Sequence, residues 1–171
     1  IITPSVKEEA EKVIENLKKS DLVMMYLDTC SDFQVKTEWK FRGWNFLGYK
    51  DAVGDGMIID LKYNKDSNPD KFEREIMTLK YYMQFAMYTE ELDHIPECII
   101  ICYDKSGNFS VIKLDFSLIH YGIREYQYLV EKLEQCIKHN KWHESYNFFD
   151  FDKIRTIYKP KWLKGFETDV E

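Results

Sequence analysis

Asp55-Gly56, set between two runs of strand-forming residues, constrains the middle of this chain more than any other feature. The stretch reads Gly48-Tyr-Lys-Asp-Ala-Val-Gly-Asp-Gly-Met-Ile-Ile-Asp-Leu-Lys62. An Asp-Gly pair suits the two central positions of a type I′ hairpin turn, where both residues need positive φ. With those two at the tip, Gly54 faces Met57, Val53 faces Ile58, Ala52 faces Ile59, and Asp51 faces Asp60. Directly opposed side chains leave one face of a sheet with their Cβ atoms about 5 Å apart. Two carboxylates held that close repel, and the pairing survives when one stays protonated or a cation lies between them. Lys62 lies two residues beyond Asp60, so the strand period returns it to the same face.

Around this hairpin the periodicity predicts a layered domain. Residues 4–19 read as a helix with Pro4 in its first turn and an apolar stripe of Val6, Ala10, Val13, Ile14 and Leu17. Glu8, Glu11 and Glu15 fall on the solvated side, whereas Glu9 lies beside the stripe. Leu22–Leu27 is a short apolar run that fits either state. From Phe33 to Phe41 the pattern alternates, with Phe33, Val35, Thr37, Trp39 and Phe41 on one face and Gln34, Lys36, Glu38 and Lys40 on the other. Gly43 permits a tight link, so residues 33–63 form a three-stranded meander. Asn68 caps and Pro69 opens a long helix running to Glu91, its core stripe Phe72, Ile76, Leu79, Met83, Ala86 and Met87. Gln84 and Tyr88 lie one turn apart on its flank, with Met77 and Tyr81 beside them. Strands follow at Ile95–Tyr103 and Phe109–Leu114, then a helix from Ser117 to about Lys141 and a short one from Phe149 to Tyr158. The expected fold class is α/β: a single domain over residues 1–171 with a central mixed sheet of about five strands flanked by helices.

Composition narrows the functional classes. The 171 residues are 44% hydrophobic, which argues for a packed core and against disorder. No apolar run reaches the length of a membrane span, no signal peptide is visible, and the opening without Met suits a domain cut from a longer protein. The formal net charge of −6 weakens a nucleic-acid reading without reaching a local groove. Lys40, Arg42, Lys50 and Lys62 surround the hairpin, while Lys159, Lys161 and Lys164 read as solvated surface. Cys98 and Cys102, in a buried strand, stand about 13 Å apart, too far to share an ion. Cys136, His139 and His143 have a zinc-like spacing but no obvious fourth ligand, so the cysteines are expected to be free thiols in a reducing compartment and no zinc is expected.

Gly48-Tyr-Lys-Asp51, Asp60-Leu-Lys62 and Gln84-Phe-Ala-Met-Tyr88, in that order across a hairpin and the following helix, resemble the PD-(D/E)XK nuclease superfamily. They look most like its RecB-type branch, which includes phage-type exonucleases, over roughly residues 4–102. The resemblance implies a restriction-endonuclease-like core and a magnesium site, with Mn²⁺ able to substitute. Asp51 and Asp60 would supply carboxylates, the Ile59 or Leu61 carbonyl a backbone oxygen, and Lys62 an ammonium near the attacking water and the phosphate. Gln84 and Tyr88 would position the site and the DNA end. The family adds an acidic residue, or in this branch a His, from a helix ahead of the hairpin. No His precedes it here, so Glu9 is the candidate, unless the group lies upstream of Ile1. Glu38 occupies a strand position where such sequences often carry a Glu, although an outward residue between Lys36 and Lys40 explains it as well. Some relatives bind an iron–sulfur cluster after the last helix; residues 145–153 contain no cysteine, so none is expected.

The expected function is therefore a metal-dependent deoxyribonuclease hydrolysing phosphodiester bonds at DNA ends, in recombination, repair or phage replication. By resemblance its partners would be DNA with a free end, a recombinase or helicase, and further copies of itself, with no membrane. Its setting would be the cytoplasm of a bacterium or a phage-infected one. The alternative is a non-catalytic DNA-binding or assembly module that keeps the fold.

Overall fold

The computed structural model describes residues 3–142. Ten elements follow in chain order: α1 (Pro4–Lys18), α2 (Asp21–Asp28), β1 (Cys30–Phe41), β2 (Trp44–Gly54), β3 (Met57–Tyr63), α3 (Pro69–Leu79), α4 (Tyr81–Tyr88), β4 (Glu97–Tyr103), β5 (Phe109–Leu114) and α5 (Phe116–His139). The short helix expected at Phe149–Tyr158, His143 and the three C-terminal lysines lie outside the described residues. The chain divides into two compact units, Ile1–Glu131 and Lys132–Glu171. The first carries the whole sheet, α1 to α4 and most of α5.

The five strands lie in the order β1-β2-β3-β4-β5. Only β3 and β4 run parallel, and the other neighbours are antiparallel. The sheet is mixed because α3 and α4 carry the chain across from β3 to β4, whereas tight turns join the rest. Ile58, Ile59, Ile99, Ile100 and Ile101 are almost fully buried. Two central parallel strands covered on both faces call for such continuous β-branched runs, and each of these side chains stabilises the fold by roughly 1.5–3 kcal/mol relative to exposure. One face packs Ile58, Ile100, Cys98 and Cys102 against Phe72, Ile76, Tyr82, Phe85, Ala86 and Ile119 of α3, α4 and α5. The other packs Ala52, Ile59, Ile99 and Ile101 against Leu17 of α1 and Val23 of α2. All four cysteines are free.

Several expectations change. The apolar run at 22–27 is helical, capped by Ser20, whose Oγ accepts the Val23 N–H at 3.3 Å. The type I′ geometry belongs to the β1–β2 turn, where Arg42 and Gly43 both have positive φ (52° and 84°). At the β2–β3 turn only Gly56 does (67°), so the tip falls where expected while Asp55 stays out of the left-handed region. The long helix expected from Pro69 is broken at Lys80, whose φ of 57° ends α3 and starts α4. The break rotates the buried stripe: Leu79, expected inside, is 57% exposed, and Tyr82 and Phe85 are buried instead. Much of the expected α1 stripe is also open, with Val6 and Ile14 about half exposed and only Val13 buried. None of the described helices is long and apolar enough to cross a membrane.

Candidate active site

The β2–β3 ladder holds its expected register as far as the Ala52–Ile59 rung and stops there. The next rung would have set Asp51 directly against Asp60, and it is not made. Asp51 Oδ2 instead accepts the Leu61 N–H at 2.8 Å. The carboxylate therefore lies in the gap where β2 parts from β3. Directly opposed like charges weaken a pairing, whereas a carboxylate taking a backbone N–H makes a charge-assisted bond. That exchange accounts for the ladder ending at this residue.

Asp60 is almost fully buried, at 2% exposure. Burial pushes its carboxyl above the usual carboxylate range; the neighbouring Lys62 opposes that shift and the charge of Asp51 adds to it. Lys62 Nζ stands 2.5 Å from Asp60 Oδ2, yet no well-angled hydrogen bond reaches that buried oxygen. Lys62 is itself held. It donates to Gln84 Oε1 at 3.0 Å and lies 4.8 Å from the centre of the Tyr81 ring. The Gln84 amide nitrogen donates to the Tyr88 hydroxyl at 2.8 Å and, more weakly, to Asp60 Oδ1 at 3.4 Å. The Tyr88 hydroxyl donates in turn to the Tyr49 carbonyl at 2.7 Å. A chain of bonds thus runs from β2 through α4 to both charged residues of β3. The break at Lys80 serves it, because α4 begins at Tyr81 and presents Tyr81, Gln84 and Tyr88 on successive turns. Gly48 lies under the Tyr88 ring: a Cβ there would stand 2.5 Å from Tyr88 Cε1.

β1 and β2 are irregular beside the site. Their register includes Phe33–Ala52 and Val35–Lys50 but lacks a Gln34–Asp51 rung. Gln34 has φ 53°, a conformation that costs an L-residue roughly 1–2 kcal/mol. Lys50 is buried and ion-paired with Glu91, beyond α4, at 2.5 Å. Ala52 packs with Val23 of α2. Two residues that a regular strand would place on one face therefore look to opposite layers, and the alternation resets at Asp51. Phe33, paired with Ala52, therefore leaves the face that carries Thr37 and Trp39, and its side chain is 60% exposed.

Residues 3–162 match a family described as a PDDEXK-like domain of unknown function, DUF3799. The chain belongs to that family. As a PDDEXK-like domain it is of nuclease type and falls within the PD-(D/E)XK superfamily, and its α/β fold with a five-stranded mixed sheet agrees. A crystal structure from Eubacterium rectale, named a candidate exonuclease, superposes with a TM-score of 0.64 at 16% identity, over 90% of this chain and 62% of that one. At that identity the likeness is one of fold, and the chain spans about three-fifths of that protein's length. The crystal structure of SSO0001 aligns at a TM-score of 0.38 and 15% identity over 68% of this chain and 57% of that one, and carries no argument. No curated protein matches the chain.

The donors in this PDDEXK-like domain fit a hard divalent ion. Asp60 Oδ2 is a buried carboxylate oxygen whose charged neighbour is Lys62 Nζ at 2.5 Å, and Asp51 is close enough to raise the cost of its charge. A strand residue's N–H and C=O leave on the same side, so the Leu61 carbonyl faces the gap in which its N–H meets Asp51. Two carboxylates and a carbonyl suit Mg²⁺, which binds through one or two carboxylates and keeps several waters.

Not every candidate residue joins them. Glu9 stands exposed on α1, and no group of three His, Cys, Asp or Glu side chains is gathered in metal-holding range among the described residues. Glu38 is exposed and pairs with Lys36 Nζ at 2.7 Å, as an outward strand residue does. Tyr88 is buried, and its hydroxyl is taken up by Gln84 and the Tyr49 carbonyl. Gln34 carried no signal beyond strand polarity, and Tyr81 read only as helix flank. A left-handed residue inside a strand leaves no mark on apolar periodicity.

Proposed function

We propose that the chain is a metal-dependent deoxyribonuclease of the RecB type that hydrolyses phosphodiester bonds at DNA ends. The observation that carries this reading is the buried carboxylate of Asp60, set between Asp51 and the tethered ammonium of Lys62. Asp51, Asp60 and the Leu61 carbonyl would hold Mg²⁺ or Mn²⁺. When bound, such an ion makes a water more acidic and offsets charge on the phosphate. Lys62 presents its ammonium to the phosphate oxygens and the attacking water, where a preorganised charge counts most. Gln84 fixes that ammonium through its Oε1 and restrains Asp60 through its amide nitrogen. Tyr88 locks Gln84 against β2, and Tyr81 closes the far side of Lys62. Gln84 and Tyr88 support the reading as positioning groups. In the free protein the Asp pair is costly, and a dication removes that cost, which favours uptake of the ion.

A second reading rests on the absence of a third gathered acidic side chain among the described residues. It makes the chain a module that binds DNA without cutting it. Linear DNA incubated with purified protein and Mg²⁺ separates the two. The nuclease reading predicts degradation that is lost with chelator and that falls by roughly 10²–10³-fold in Lys62→Ala. Binding without cleavage under both Mg²⁺ and Mn²⁺ would establish the second reading in its place.

A further inference from the structure

We propose that Gln34 is a positioning residue for the Asp51 carboxylate, and that β1 carries its distortion at this position to serve that contact. The inference rests on the metal-site reading above and goes beyond it to a residue outside the expected motifs. Gln34 Nε2 donates to Asp51 Oδ1 at 2.9 Å, while Oδ2 takes the Leu61 N–H. With one donor on each oxygen, the carboxylate cannot swing about its Cβ–Cγ bond, and each oxygen keeps a lone pair free. Four described residues other than glycine have positive φ. Arg42 turns a hairpin, Lys80 separates two helices and Asn140 follows α5; Gln34 alone lies inside a strand. The distortion coincides with the one missing rung between Phe33–Ala52 and Val35–Lys50, and that rung is the one Asp51 would have made.

A left-handed residue needed only for backbone shape would be Gly or Asn, which enter that region at low cost. Gln has no such backbone advantage, but it carries a neutral donor long enough to cross to β2. Neutrality matters here. An Arg or Lys in its place would compete with the ion for Asp51, and a Glu would repel the carboxylate. Strained backbone at a reactive site persists when its surroundings require it. Groups that hydrogen-bond a metal-ligating carboxylate typically change metal affinity or activity 10–100-fold when removed.

Gln34→Gly sets the two explanations against each other, because glycine accepts the local φ and deletes the side chain. Metal-free protein is titrated with Mn²⁺, free ion is read by electron paramagnetic resonance, and Tm is measured on the same samples. The expected result is a Tm equal to or above that of the parent, together with Mn²⁺ affinity weakened about tenfold. Gln34→Ala, which keeps the strain, should show the same affinity loss with a lower Tm. Unchanged Mn²⁺ affinity in Gln34→Gly overturns the proposal, and so does a failure of that variant to fold. Asp60→Ala makes the failures distinguishable: if the parent takes up Mn²⁺, Asp60→Ala does not and Gln34→Gly matches the parent, only the role of Gln34 falls. If the parent and Asp60→Ala alike take up none, the metal site itself falls and the proposal with it.

Discussion

Asp60 is a carboxylate whose surroundings favour its neutral form. Its folded pKa lies above the ordinary value, chiefly through burial. Between the ordinary value and the raised one the folded chain holds a proton that the unfolded chain has lost, so this group's contribution to stability falls as pH rises through that window. In chelator, Asp60→Asn should therefore melt higher than the parent at neutral pH and lose that part of the pH dependence, while losing nuclease activity. A lower Tm for Asp60→Asn at neutral pH would mean that the Lys62 pairing outweighs burial. Gly48 is the second residue-scale test. Its missing Cβ is where the Tyr88 ring lies, and the Tyr88 hydroxyl is tied to the Tyr49 carbonyl. Gly48→Ala should cost roughly 1–3 kcal/mol by denaturant unfolding and lower activity, because Gln84 moves with Tyr88. An unperturbed variant would show that the ring gives way without consequence.

Among the elements, the α3–α4 break decides how the site is supported. No Gly or Pro announces it. Lys80 takes the left-handed conformation and its ammonium pairs with Glu125, while the Tyr82 hydroxyl donates to the other oxygen of that carboxylate at 2.7 Å. The residues at the break thus meet a carboxylate on α5, a contact that local pattern does not reveal, whereas the stripe through Leu79 and Met83 reads as uninterrupted. Lys80→Val, β-branched where φ is positive, should destabilise by about 1–2 kcal/mol and reduce activity more than a surface substitution would, since α4 carries Tyr81, Gln84 and Tyr88. Stability and activity both equal to the parent's would detach the break from the site. The hairpin was more legible. Turn chemistry and alternation placed the rungs from Gly54–Met57 to Ala52–Ile59, and only the last expected rung failed. It failed at two like charges, where pairing energy was least able to hold it. The same reset of alternation hid Gln34 and moved Phe33 to the face of its partner Ala52.

For the whole molecule, the ordered strands, the crossover helices and membership of the PDDEXK-like family agree with the motif order read from the sequence. Asp51, Asp60 and Lys62 come together because a hairpin and a strand period fix them locally. Glu9 does not join them, since a helix flank says which side is apolar but not which partner it meets. If Asp51 and Asp60 bind a divalent ion only in the folded state, an ion concentration of 100 times Kd adds about 2.7 kcal/mol of stability, which raises Tm by roughly 5–10 °C in a chain of this size. Asp51→Ala and Asp60→Ala should show little of that shift, and an equal shift in all three proteins would place the ion elsewhere. The most direct measurement is anomalous diffraction from crystals soaked in Mn²⁺. A peak within coordination distance of Asp51, Asp60 and the Leu61 carbonyl, absent from Asp60→Ala crystals, is the result expected. A peak elsewhere, or none between the two aspartates at saturating Mn²⁺, would contradict the account.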